Sequence, residues 1–224
     1  MSINTPSGAL KLCMISGSFE YDSATSLAAF AGYLDRAGYG IVQAAQITYQ
    51  GEEDDLSLAA IDDADVVLLF THRLRTEGPE LERFQAYCAR GGPIVGVRTA
   101  SHGFQNWLAF DREVLGGNYG NHYGAGPLCR VELAPNAAAA DHPILRGVDL
   151  PFDSPGSLYR NTPLAADTTP LLTGRTDEAS EPVAWTRVHR GGRVFTTSLG
   201  HQEDFRNPAF LRLLANAVFW SANR

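Results

Sequence analysis

Asp65-Val66-Val67-Leu68-Leu69-Phe70 is followed by the segment Pro79 to Arg90, and then by Pro93-Ile94-Val95-Gly96-Val97. A strand that is apolar at almost every position is buried on both faces, as in a parallel sheet, whereas a half-solvated strand alternates. Between the two runs, Leu81, Phe84 and Tyr87/Cys88 share one face of a helix that Gly91-Gly92 ends. Working toward the N-terminus, Leu10 to Ile15 reads as a strand, with Gly17-Ser18 opening the loop after it. Ser23 is placed to cap a helix carrying Leu27, Phe30, Ala31 and Leu34, which Gly38 closes, and Ile41 to Ala45 reads as a short strand. This β-α-β-α-β rhythm predicts an α/β fold with a mostly parallel sheet and helices on both faces.

The second half is less regular. Leu128 to Leu133 and Leu171-Leu172-Thr173 read as strands among Pro/Gly-rich loops. Pro182 to Val188 and Arg193 to Ser198 read as a hairpin around His189-Arg190-Gly191-Gly192. Asn207-Pro208 then opens a final helix with Phe210, Leu211, Leu214, Ala217, Val218 and Trp220 on its buried side. No repeat or composition shift marks a boundary, so one domain over 1–224 is the simplest expectation.

The composition is that of a globular chain, 44% apolar and 19% charged over 224 residues. With 18 basic against 25 acidic residues the net charge is −7, which argues against nucleic acid and anionic membrane as partners. The segment Met1 to Leu10 does not read as a secretory signal, and runs such as Val66–Phe70 are too short to span a bilayer. Cys13, Cys88 and Cys129 are widely spaced and odd in number, which fits reduced core residues in a cytoplasmic protein. A paired homo-oligomer is compatible with the chain, although no feature specifies one.

In a doubly wound sheet, ligands bind beyond the carboxyl ends of the strands. Ser16, Gly17, Glu20, Tyr21 and Asp22 follow the first strand, and Thr71, His72 and Arg73 follow Asp65–Phe70. Arg98, Thr99, Ser101 and His102 follow Pro93–Val97, and His201 and Glu203 follow the hairpin. His201 is the candidate acid/base, with Glu203 to hold one ring nitrogen; the bland alternative has His201 only bonding the start of the next helix. Arg98 and His102, about one turn apart if the segment is helical from Thr99 on, are candidates to stabilise an oxyanion; Arg98 pairing a neighbouring carboxylate is the structural alternative. The stretch Leu115 to Gly124, dense in glycine, aromatics and amides, offers Asn118, Tyr119 and His122 as sugar-hydroxyl binders, or else an ordinary packed loop. Thr71, Arg73 and Tyr21 complete the candidate binding set.

No cofactor is expected. The alternative is a divalent metal held by His102, His122 and His201, whose spacing matches no tight zinc motif. His142, before Pro143, reads as a turn residue, and His189 as a solvated hairpin tip. Ser101 lacks the G-x-S-x-G elbow of a nucleophilic serine.

Pro93-Ile94-Val95-Gly96-Val97-Arg98, Leu115-Gly116-Gly117, Asp141-His142-Pro143-Ile144, Pro182-Val183-Ala184-Trp185 and Gly192-Arg193-Val194-Phe195 through Gly200-His201 occur in this order. In that order they resemble the trehalose-utilisation (ThuA-like) family, over about Asp65 to Trp220. The resemblance implies the class I glutamine amidotransferase-like fold, a flavodoxin-like three-layer sandwich. In amidotransferases a nucleophilic cysteine occupies the strand-end turn and a His-x-Glu follows a late strand. Here His201-Gln202-Glu203 matches the second element, but Arg98 stands at the nucleophile position and cannot attack a carbonyl, which excludes glutamine hydrolysis. The resemblance further implies carbohydrate metabolism, with a glycoside or keto-glycoside as substrate. Hydrolysis, elimination or isomerisation by His acid/base chemistry is the expected activity. A non-catalytic sugar- or metabolite-binding protein is the alternative.

Overall fold

The computed structural model describes residues 8–37, 42–124 and 128–224. Its elements run β1 (Leu10–Gly17), α1 (Ser23–Arg36), β2 (Val42–Thr48), β3 (Val66–Thr71), α2 (Gly78–Ala89) and β4 (Ile94–Val97). They continue with β5 (His122–Tyr123), β6 (Cys129–Leu133), α3 (Ala137–Ala140), β7 (Phe152–Ser154), β8 (Leu158–Tyr159), β9 (Thr169–Arg175), β10 (Ser180–His189), β11 (Gly192–Thr197) and α4 (Pro208–Ser221). The expected closure of α1 at Gly38 and the residue Ile41 lie outside the described residues.

The main sheet has the order β2-β1-β3-β4-β11-β10-β9-β6-β7 among the described residues. Five neighbouring strands, β2 through β11 in that order, run parallel. Beyond them β10, β9, β6 and β7 pair antiparallel and extend the same sheet as a wing. This is the expected flavodoxin-like α/β architecture. The wing joins the parallel part through the β10–β11 hairpin, whose turn residues Arg190 and Gly191 both have positive φ (52° and 88°), matching the right-handed strand twist.

Packing explains the apolar runs. On β3, Val66, Leu68 and Phe70 enter one core and Val67 and Leu69 the other. The first core lies under α1 and α4, through Leu27, Phe30, Phe210 and Leu214. The second lies under α2 and the chain after β4, through Phe84, Tyr87, Phe104, Phe110 and Leu115. Burial of each such side chain stabilises the fold by about 1.5–3 kcal/mol. The three cysteines are free and buried.

One cap differs from expectation. Asp22, with φ 43°, caps α1 by accepting from the Thr25 N–H, while Ser23 Oγ instead accepts from the Gly17 and Ser18 amides and bonds Ser16 Oγ. Asn207 caps α4 as its sequence suggested, accepting from the Ala209 N–H.

Candidate functional site

The ends of β1, β3, β4 and β11 surround a cavity of about 420 Å³, whose lining Tyr119, His122, Pro155, Gly156, Ser157 and Tyr159 complete. Tyr21, Arg73, Arg98, His102, Tyr119, His122 and His201 all line it. A second cavity of about 680 Å³ shares Arg73, His102 and Tyr119 with the first and adds Ser101, Asp111 and Arg112. Thr71 lines neither: it is fully buried, its hydroxyl lacks a partner, and it lies against Gly103. Asn118 lines neither as well. Its amide oxygen accepts from Arg112 and its amide nitrogen donates to the Thr162 carbonyl, so both ends already serve the loop.

Arg98 follows β4 in a left-handed conformation, φ 47°, and is only 2% exposed. Its guanidinium donates to the Ser198 carbonyl at 2.7 Å, to Tyr21 Oη at 3.2 Å and to Ser157 Oγ at 3.2 Å. It lies between the rings of Tyr21 and Tyr159, 4.6 and 4.5 Å from their centroids. Burial works against its charge, and the two tyrosines with Asp204 outweigh that, so it stays a cation. The carboxylate pairing of the structural alternative is absent: no ion pair reaches Arg98 among the described residues. Arg98 borders the cavity and holds two of its hydroxyls.

His102, in the short 3-10 turn Arg98–His102, is 7% exposed. Its ring stacks on Tyr119 at 4.4 Å, meets His72 edge-on at 5.0 Å, and bonds Ser101 Oγ through Nδ1 at 2.9 Å. Burial first, then the charges of His72, Arg73 and Arg98, push its pKa down to about 3. His102 is therefore neutral at physiological pH and adds no positive charge to an oxyanion site.

His201 corrects the expected dyad. The Glu203 carboxylate pairs with Arg206 at 2.8 and 3.0 Å, while the Glu203 backbone N–H donates to His201 Nδ1 at 3.3 Å. The imidazole caps the turn Gln202–Arg206, which was the bland reading, yet it also borders the cavity. The carboxylate that supports this corner is Asp204, buried, accepting from the Gly200 and His201 amides and from Ser154 Oγ. Because Nδ1 of His201 accepts a main-chain N–H, the ring proton lies on Nε2. His122 is the reverse: its Nδ1 bonds the Gly124 carbonyl at 2.8 Å, which can only accept, so Nε2 carries the lone pair.

His102, His122 and His201 share one cavity wall but do not gather. No group of three or more metal-ligating side chains occurs among the described residues. His142 caps the turn Pro143–Leu145, and His189 is half-buried beside the hairpin turn. Asp111 and Ser157 escaped sequence reading. Asp111 Oδ2 accepts the Tyr119 N–H at 2.7 Å while Oδ1 is buried without a partner, and burial pushes its pKa up to about 6. An acidic residue a few positions before Gly116-Gly117 was the available signal for Asp111; nothing local marks Ser157.

Fold and site together define an α/β protein with a polar, aromatic-walled crevice at its strand ends. The chain belongs to the ThuA (trehalose utilisation) family, whose model matches residues 14–221, and this sets it in sugar metabolism. A ThuA-like protein from Parabacteroides merdae superposes with a TM-score of 0.73 at 18% identity, covering 96% of this chain and 90% of that one. One from Bacteroides uniformis gives 0.71 at 19% identity, covering 99% and 95%. A cytoplasmic protein from Salmonella typhimurium gives 0.66 at 17% identity, covering 95% and 99%. At these identities the likeness speaks for the fold alone. Among proteins of curated function, none matches the chain. No helix among the described residues is long and apolar enough to cross a membrane.

Proposed function

We propose that this protein is a cytoplasmic enzyme of sugar catabolism that moves protons on a keto-glycoside bound in the smaller cavity. The observation that carries this is the pair of opposite tautomers on its walls, His122 with a free Nε2 lone pair and His201 with an Nε2 proton, each set by a main-chain hydrogen bond. A ketone acidifies the neighbouring C–H. His122 takes that proton, the C–H electrons form a C=C bond, and the carbonyl π electrons move onto oxygen, where the His201 Nε2–H donates a hydrogen bond to the enolate. The enolate leads to isomerisation or elimination without a covalent nucleophile. The half-buried Tyr119 ring on the cavity wall offers the sugar an aromatic surface.

The test is deuterium uptake from heavy water by keto-glycosides, followed by NMR. Exchange at the carbon beside the ketone is expected with the native chain. It should slow by roughly 10²–10⁴-fold in His122→Ala or His201→Asn, the usual worth of one acid/base group. The turning of Glu203 toward Arg206 favours a second reading, a sugar-binding protein without turnover. Tight binding of keto-glycosides with no exchange and no product would establish that reading and remove the first.

A further inference from the structure

The smaller cavity is lined by Arg98, Arg73 and hydroxyl donors. Arg98 spends one Nη on both Tyr21 Oη and Ser157 Oγ, at 3.2 Å each. A hydroxyl oxygen that accepts from a guanidinium must aim its own proton elsewhere, and such a proton is a strengthened donor. The Ser157 proton meets no protein acceptor among the hydrogen bonds of the described residues, and the Tyr21 proton has only the Tyr159 phenol beside it. His201 adds an Nε2–H, and at the rim the exposed Arg73 guanidinium makes no ion pair among the described residues.

On the acceptor side stand the His122 Nε2, the exposed carboxylate of Glu20, the Tyr119 hydroxyl and one ring nitrogen each of His72 and His102. Asp204, the carboxylate whose charge Arg98 feels, has Oδ2 engaged by Gly200, His201 and Ser154 and forms no ion pair with the guanidinium. Arg98 Nε is itself buried without a partner. The Arg98 cation is thus favoured by its tyrosines and Asp204 yet joined to no carboxylate in an ion pair among the described residues, which leaves its field to act on a ligand at the two hydroxyls.

We propose that the ligand seated against Tyr21 and Ser157 carries an anionic oxygen group, a carboxylate or a phosphate, so that the sugar handled is an acidic derivative and not a neutral glycoside. Arg98 serves this site as a positioning residue, holding two hydroxyls whose protons meet the anion. The sugar part of this inference rests on the function proposed above; the anion part stands on the cavity alone.

Calorimetric titration of the full chain with glucose, glucuronate, glucose 6-phosphate and inorganic phosphate tests it. At least one acidic probe is expected to bind about tenfold tighter than glucose, as one or two charge-assisted hydrogen bonds would give. Glucuronate alone would mark a carboxylate site; glucose 6-phosphate together with inorganic phosphate would mark a phosphate site. The preference should collapse in the Tyr21→Phe, Ser157→Ala double variant. It should also weaken severalfold in Arg73→Ala, a rim change that leaves the core untouched. Equal affinity for glucose and both acids, a preference surviving both variants, or no binding of any probe overturns the proposal. Inorganic phosphate binding without any sugar binding supports the anion site and sinks the sugar reading; glucose binding without charge preference does the reverse.

Discussion

The chain leaves β4 and β11 side by side, and the two exits are built in opposite ways. After β4, Arg98 turns into the left-handed region and is sealed in by Ser198, Tyr21, Ser157 and two aromatic faces, with the neutral His102 close behind. After β11, His201 stays half-open, its ring bonded to the Glu203 amide and its backbone N–H to Asp204. The exits touch at Gly200, φ 127°, where a Cβ would come within 2.7 Å of Val97 Cγ1 and 3.3 Å of Arg98 Cβ. A side chain there would push the strand ends apart. The closed exit supplies charge and rigidity, and the open one keeps a proton within reach of a ligand. Chemistry needs a group that can exchange its proton with what is bound, and Arg98 cannot do that.

The contrast can be broken most visibly at the open exit. His201→Asn keeps a capping side chain but loses the imidazole, so turnover or deuterium exchange should fall roughly 10²–10⁴-fold while the melting temperature hardly moves. Undiminished exchange would place the acid elsewhere. At the closed exit the expected loss is in stability: Arg98→Met leaves the Ser198 carbonyl without its charged donor and should cost about 3 kcal/mol in urea unfolding. A change under about 0.5 kcal/mol would show that Arg98 is not the tie between the strand ends.

Asp111 offers a third comparison, beneath the loop that carries Tyr119. Its folded pKa of about 6 lies above the ordinary value of 3.8, so the folded state prefers the protonated carboxyl. That preference is fully felt below pH 4 and is lost as pH rises through 6, leaving the ionised form to destabilise the fold at neutral pH. Asp111→Asn, which keeps an oxygen for the Tyr119 amide, should therefore gain about 2 kcal/mol at pH 7 and much less at pH 4. Thermal melts across that range check it, and a gain independent of pH would count against a titrating Asp111. The smallest effect is expected at Glu203: removing its exposed pair with Arg206 by Glu203→Gln should change stability by under about 0.5 kcal/mol. Activity should stay within about twofold, since Glu203 presents only its amide to His201. A hundredfold loss would mean that the carboxylate swings onto the imidazole in the working state.

The parallel half of the sheet was legible because its signals are local. Val66 to Phe70 and Ile94 to Val97 are apolar throughout because they feed two cores, and Leu81, Phe84 and Tyr87 fall on one helix face. The wing was legible only in pieces. Leu128 to Leu133 and Leu171-Leu172-Thr173 read as strands, yet nothing in either segment says that they continue the same sheet. The site was read less well than the fold. The strand-end rule gathered Tyr21, Arg73, Arg98, His102 and His201 around one cavity, but Thr71 sank behind it and Asn118 was spent on Arg112 and Thr162. Glu203 sits where a dyad would put it, and turned away.

Periodicity, turn residues and caps were enough to set the strands and helices of the first half, the closing hairpin and α4, because those preferences act within a few residues. Which nitrogen of His201 or His122 holds its proton, which oxygens Arg98 grips, and why Asp111 resists ionisation were decided by the assembled structure. Each depends on the polar groups brought near from other strands and loops, and on how far burial has removed water from between them.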